Sequence, residues 1–300
     1  MQGKRQTAGI IFILLAGICW GLMGLFVRPL SEKGLSSWDI VFLRSSLTAA
    51  FLAVFLLILD RKRFHIRIKD IWCFAGTGLL SIVFFNFCYF REITVTSLSV
   101  AAILLYTAPA FVMVISAVLF RERITLVKAA ALILSFTGLI FVTGVLGHGE
   151  KLTPEVILTG LGAGLGYALY SIFGRFAIDR GYDSYTISFY TFLFAGIATF
   201  FFADPARTAR AATDSSWSIF FVFIFVMVST VLPYLLYTKG LRKVDNSRAS
   251  IIASVEPVAA TLIGILVYGE KMTLETAAGI ILVLSGIVLA NLFTGKEKKS

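Results

Sequence analysis

Ten stretches of apolar residues, each near the length needed to cross a bilayer, take up almost the whole chain. A spanning helix needs roughly 20 such residues. The stretches run at approximately 8–29, 39–59, 70–90, 97–119, 126–146, 155–176, 184–203, 216–238, 247–268 and 274–293. The breaks between them carry charge, Gly or Pro, as at Asp60-Arg61-Lys62-Arg63, Arg121-Glu122-Arg123, Asp204-Pro205 and Gly269-Glu270-Lys271. With 58% hydrophobic and only 15% charged residues, the chain has too little charge to cover a water-soluble surface. Lys4 and Arg5 before an apolar run suggest a signal peptide at first sight. The run reaches about Val27, too long for a signal-peptide core, and predicts a first spanning helix instead.

The net charge of +10 does not point to nucleic acid, because the basic residues fall between the spans rather than on one amphipathic face. With the N-terminus in the cytoplasm, the inner side collects Arg61, Lys62, Arg63, Arg67, Lys69, Arg121, Arg123, Lys128, Lys239, Arg242, Lys243, Arg248 and the C-terminal Lys296, Lys298 and Lys299. The outer side keeps Arg28, Lys33, Arg91, Lys151, Arg207, Arg210 and Lys271. Positive charge prefers the cytoplasmic side. The bias predicts a multi-pass protein of the cytoplasmic membrane with both termini inside. Cys19, Cys73 and Cys88 lie in or beside apolar runs and read as packing residues.

The chain is also duplicated. Ala101 and Ala249, Ile103 and Ile251, Pro109 and Pro257, Glu122 and Glu270, Thr125 and Thr273, and Gly138 and Gly286 all stand 148 residues apart. Gly17 and Gly164, Trp20 and Tyr167, and Arg28 and Arg175 match at a separation of 147. The expected organisation is therefore a first five-helix repeat over 1–150 and a second over 151–300, together one all-α membrane domain of ten helices. Five is odd, so the second repeat enters the membrane upside down. Inverted repeats allow two mirror-related open states of similar energy, with a solute site near the midplane beside broken helices. Both halves lie in one chain, so no obligate dimer is needed.

Several motifs carry a family resemblance: Trp20-Gly21, Phe42-Leu43-Arg44, Ala108-Pro109-Ala110 with Phe120 to Thr125, and Val255 to Gly264 with Gly269 to Thr273. In order and in both halves, they resemble EamA-type members of the drug/metabolite transporter superfamily. The resemblance implies a carrier of small metabolites such as amino acids, with export the expected direction and a basket-shaped central cavity. Small four-helix members of the superfamily place a glutamate in the first helix. This chain has none there, so their drug–proton mechanism does not carry over.

Glu256 is the first candidate for the solute site, as a carboxylate at membrane depth is costly and usually faces a cavity or a partner. An alanine stripe, Ala249, Ala253 and Ala260, shares its helical face and offers tight helix packing as the rival explanation. Arg44 could bind a carboxylate, pair with Glu256, or snorkel to the outer surface. Trp20, Asn86, Tyr89, Tyr106, Tyr167, Tyr170, Tyr234, Ser250 and Ser254 are further cavity candidates, because buried polar groups need partners. Tyr237 reads as interfacial belt, and Pro109 and Pro257 as hinges. Arg28, Arg175, Glu122 and Glu270 read as span-end caps.

An enzyme is not expected. His65 and His148 lie in loops on opposite sides, and no metal spacing, phosphate loop or cofactor motif occurs. The expected partners are a small solute and the bilayer, with protons as a candidate coupling ion. A non-transporting receptor or scaffold, or a lipid-modifying membrane enzyme, are the alternatives.

Overall fold

The computed structural model describes residues 2–145 and 152–292; His148, Lys151 and the C-terminal lysines lie outside them. Nine described helices are long and apolar enough to cross a membrane. They are α1 (Arg5–Glu32), α2 (Ser37–Leu59), α3 (Ile68–Ile93), α4 (Leu98–Phe120), α5 (Leu126–Thr143), α6 (Pro154–Asp179), α8 (Ser216–Leu241), α9 (Asn246–Tyr268) and α10 (Leu274–Asn291). The remaining one, α7 (Ser184–Thr199), has 16 residues. At about 1.5 Å per residue it is about 24 Å long. The sequence segment 184–203 overstated it. Phe200–Ala203 turn instead of continuing, and the Asp204 N–H donates to Asp39 Oδ1 of α2 at 2.7 Å. A short polar helix, Pro205–Thr213, follows.

The halves interleave. Helices α2 and α7 pack on each other, as do α5 and α10, while α1 lies on α8 and α9 in the way that α6 lies on α3 and α4. Each of these contacts joins the two repeats and has its counterpart under exchange of the halves. The α5–α10 contact brings backbone against backbone. A Cβ on Gly138 would lie 2.7 Å from the Gly279 carbonyl oxygen, and one on Gly279 2.6 Å from that of Gly138.

Helices α4 and α9 are each broken at matched positions. The first runs as Leu98–Leu105 and Ala108–Phe120, the second as Asn246–Ala253 and Val255–Tyr268. Pro109 and Pro257 stand in the first turn of the second piece, where a missing N–H costs least. The breaks lean on glycines. A Cβ on Gly17 would approach the Ala253 carbonyl oxygen to 3.1 Å, and one on Gly164 the Leu104 carbonyl oxygen to 2.9 Å. Wide π-type turns also recur as a pair, at Gly76–Val83 in α3 and Met227–Val231 in α8.

Candidate functional site

Around the breaks lies a cavity of about 220 Å³ whose walls come from α1, α2, α3, α4, α6, α8 and α9. Its lining runs from exposed Ser37, at the start of α2, down to Tyr167 and Glu256. Trp20, Arg44, Asn86, Tyr89, Tyr167, Tyr234 and Glu256 all meet here, brought together from six helices.

Glu256 follows the break in α9 by two residues, in the first turn of the second piece, where a helix N-terminus favours negative charge. The Tyr167 hydroxyl donates to its Oε2 at 2.7 Å. The same stretch packs closely on α1: a Cβ on Gly21 would lie 2.7 Å from the Glu256 carbonyl oxygen and 2.9 Å from the Ala260 nitrogen. The interruption at Ser254 separates Ala249 and Ala253, which are buried, from Ala260, which is exposed. Arg44 comes from α2 and is 4% exposed, so it stays inside the protein instead of snorkelling. Its Nη1 donates to the Met23 sulfur, a weak acceptor, at 3.4 Å. Its Nε has no hydrogen-bond partner among the described residues. Although both groups line one cavity, no ion pair joins Arg44 to Glu256 among the described residues. Arg44 and Glu256 thus face a shared space without pairing.

The walls are aromatic and largely fixed. Trp20 packs edge-on to Tyr234 and Tyr167, with ring centroids 5.2 and 6.3 Å away. Its indole N–H is buried without a partner among the described residues. The Asn86 amide donates to the Ile82 carbonyl at 2.7 Å, which ties the side chain to the wide turn of α3. Trp20 and Tyr167 are repeat counterparts, as are Asn86 and Tyr234, so symmetric positions frame the cavity.

Below the cavity, on the side away from Ser37, the chain is sealed. Tyr170 meets Thr238 at 2.9 Å, and Ser171 meets Tyr237 at 2.8 Å. Lys128 pairs with Asp245 at 2.7 Å. The Glu122 carboxylate accepts the N–H groups of Asn246 and Ser247 at 2.8 and 3.1 Å, together with the Ser247 hydroxyl. Tyr170 is thus placed in the seal rather than the cavity. Tyr237 is not interfacial belt, being 4% exposed and bonded inside the seal. Tyr106, Ser250 and Ser254 border small crevices below the cavity floor. Ser250 donates to the Ser247 carbonyl at 2.9 Å. Met23, Val27, Ser37, Ile40, Val41, Phe85, Phe90 and Leu105 complete the cavity lining. Their residue types are common on any span face, and nothing in the sequence marked them.

A larger groove of about 490 Å³ lies between α2 and α7, walled by Phe42, Ala49, Phe192, Gly196 and Phe200 among others. It has no ionisable residue in its lining, and Ser46 is the one polar side chain there. Among the described residues no cluster of His, Cys, Asp or Glu could hold a metal ion.

The EamA-like transporter family matches the chain twice, over residues 7–144 and 155–292. Two uncharacterized transporters of Archaeoglobus fulgidus are similar over nearly the whole length. One is 30% identical, covering 93% of this chain and 94% of the relative, and the other 29% identical, covering 93% and 97%. The uncharacterized inner membrane transporter YicL of Salmonella typhimurium is 23% identical, covering 97% and 98%. A solved crystal structure at 16% identity shares the fold, with a TM-score of 0.77 over 95% of this chain and 97% of that one.

Proposed function

This chain belongs to the EamA-like transporter family, and from that premise we propose that it carries a small zwitterionic metabolite, an amino acid or a close relative, by alternating access. The observation that carries the proposal is the pair Arg44 and Glu256. They stand unpaired with each other across one cavity, matching a solute that brings its own carboxylate and ammonium. At about 220 Å³ the cavity falls below the roughly 300–1,000 Å³ of sites for drug-sized ligands, which favours a metabolite. The aromatic wall of Trp20, Tyr89, Tyr167 and Tyr234 suits an apolar or aromatic side chain.

The cavity reaches exposed Ser37 on one side and is sealed on the other, as one state of an alternating carrier requires. By the charge bias, the Ser37 side is extracellular and both termini are cytoplasmic; a reporter fused after Ser300 then reads as cytoplasmic. Export is the direction we assign. Glu256 is the group we assign to proton coupling, and Glu256→Gln then abolishes pH-driven flux while the protein stays folded. The deciding experiment uses purified protein in liposomes preloaded with unlabelled amino acids, with uptake of the labelled form followed by counterflow. Accumulation of one or more amino acids supports the reading. No counterflow across the set, with no thermal stabilisation by any of them, sinks it.

A further inference from the structure

The seal below the cavity uses a device that the chain carries twice, and in this structure only one copy is engaged. Glu122 follows α4 and reaches across to the other repeat, where its carboxylate caps the start of α9 at Asn246 and Ser247. The repeat counterparts are Glu270 for Glu122, Leu98 for Asn246 and Ser99 for Ser247. The two glutamates are presented by the same local geometry. Arg121 and Gly269, each just before its glutamate, are left-handed, with φ of 56° and 70°. The Glu122 N–H donates to the Ser116 carbonyl at 3.2 Å, and the Glu270 N–H to the Gly264 carbonyl at 3.2 Å. Ser116 and Gly264 are again counterparts.

The receiving ends differ. Asn246 and Ser247 are fully buried, whereas Leu98 is 65% exposed. Glu270 does not reach α4. It pairs with Arg28 at 3.4 Å, with both side chains about half exposed. The Ser99 hydroxyl donates instead to the Thr143 carbonyl at 2.9 Å. The first-turn N–H groups of Leu98 and Ser99 have no partner among the described residues. One end of the molecule therefore shows the device closed, the other shows it open, and the cavity mouth lies at the open end.

We infer that Glu270 is the latch of the opposite state. When the mouth closes, its carboxylate leaves Arg28 and caps the start of α4, taking the N–H groups of Leu98 and Ser99 and the Ser99 hydroxyl. Glu122 leaves α9 as the seal opens. Arg175, the counterpart of Arg28, receives it. Ser99 and Ser247 exchange partners in opposite senses, so the four residues work as paired toggles. The inference rests on the alternating-access reading of the fold. A carboxylate with three donors at a helix start is a strong local restraint, because charge-assisted hydrogen bonds outweigh neutral ones and the helix dipole adds to them. An exposed pair such as Arg28–Glu270 is weak and easily exchanged.

The test is a distance across the mouth. Spin labels are placed at Leu98→Cys and Lys271→Cys, both exposed, in a background lacking Cys19, Cys73 and Cys88, and measured in lipid nanodiscs with no solute added. The expected result is two distances in exchange. Glu270→Gln removes the outer latch and lowers the short population at least about tenfold, while Glu122→Gln removes the inner latch and raises it by a similar factor. Ser247→Ala, which removes one donor only, shifts the balance the same way as Glu122→Gln and stands in for it should that variant not fold. A short population that is insensitive to Glu270→Gln, or that rises with it, overturns the proposal, as does a single distance unaffected by any of the variants. The readout needs no solute. Opposite shifts without solute flux would refute only the transported-substrate reading, and flux without the shifts would refute only the latch.

Discussion

Replacing Glu256 by Gln tests the solute site most directly. Gln keeps an oxygen that can accept the Tyr167 hydroxyl, now at 2.7 Å from the carboxylate, so the local frame survives while the charge is lost. A solute ammonium about 4 Å from the carboxylate gains about 4 kcal/mol at the effective dielectric of about 20 that suits such sites. Part of this is offset by desolvation of both ions. Removing one partner of a buried, hydrogen-bonded charge pair costs about 2–5 kcal/mol in measured cases. Taking the lower part of that range, because Glu256 is only partly buried, about 2–3 kcal/mol is expected, or an affinity loss of about 30- to 150-fold. Calorimetry on purified protein gives the numbers, first for the amino acid that performs best in counterflow and then for its analogue lacking the amine. The loss should appear with the amino acid and fall below about threefold with the analogue. Equal losses for both would mean that Glu256 shapes the cavity without touching the solute. No loss for either would remove it from the site.

Arg44→Gln should show the mirror image, with a similar loss for the amino acid and little for an analogue whose carboxylate is amidated; equal losses would mark Arg44 as structural. Gly138→Val sets a side chain against the Gly279 backbone, where a Cβ would lie 2.7 Å from a carbonyl oxygen, and should cost about 1–3 kcal/mol or more, read as a fall in the thermal unfolding midpoint. Outside the spans, the Ser218 hydroxyl and the Lys33 ammonium hold the Asp214 carboxyl down to about 2. A carboxylate depressed from its usual value near about 3.9 stabilises the fold above that pH, and the contribution is lost as pH falls from about 4 to about 2. Lys33→Ala should move the Asp214 titration upward, as followed by ¹³C-carboxyl NMR with Asp214→Asn for assignment.

Much of the architecture was legible because it follows from a solvent constraint and a duplication. Apolar length marks spans, and the paired Pro109 and Pro257 mark the breaks of α4 and α9, although nothing of that kind marks the turn at Leu22–Met23 in α1. Length alone failed at α7, since Phe200, Phe201 and Phe202 are as apolar as a helix interior yet form the turn after it. The site was half legible. Arg44 and Glu256 stood out because ions are rare at membrane depth, but their shared cavity is a tertiary fact. Tyr170 could not be told from a cavity tyrosine, nor Tyr237 from an interfacial one, because the residue type is the same whether the hydroxyl meets solute, the membrane surface or, as here, Thr238 and Ser171. The reach of Glu122 was hidden for a similar reason. A glutamate beyond a helix end reads as a local cap, and its true partner lies 124 residues away.

The division between what repeats and what does not separates mechanism from selectivity. The breaks of α4 and α9, the wide turns of α3 and α8 and the glutamates that follow α4 and α9 all occur in both halves, as they must if two states are to mirror each other. The two charged residues that we assign to the solute do not. The counterpart of Glu256 is Ala108, which is 1% exposed and packs with Val112 and Ala168, so the first half has no room for a second carboxylate. The counterpart of Arg44 is Thr191, whose hydroxyl is tied to that of Thr77 at 2.6 Å. A solute gripped by these charges therefore meets one fixed cation and one fixed anion in either state, while the symmetric parts move around it. Exchange of the latches then changes which side the site faces without changing what it recognises.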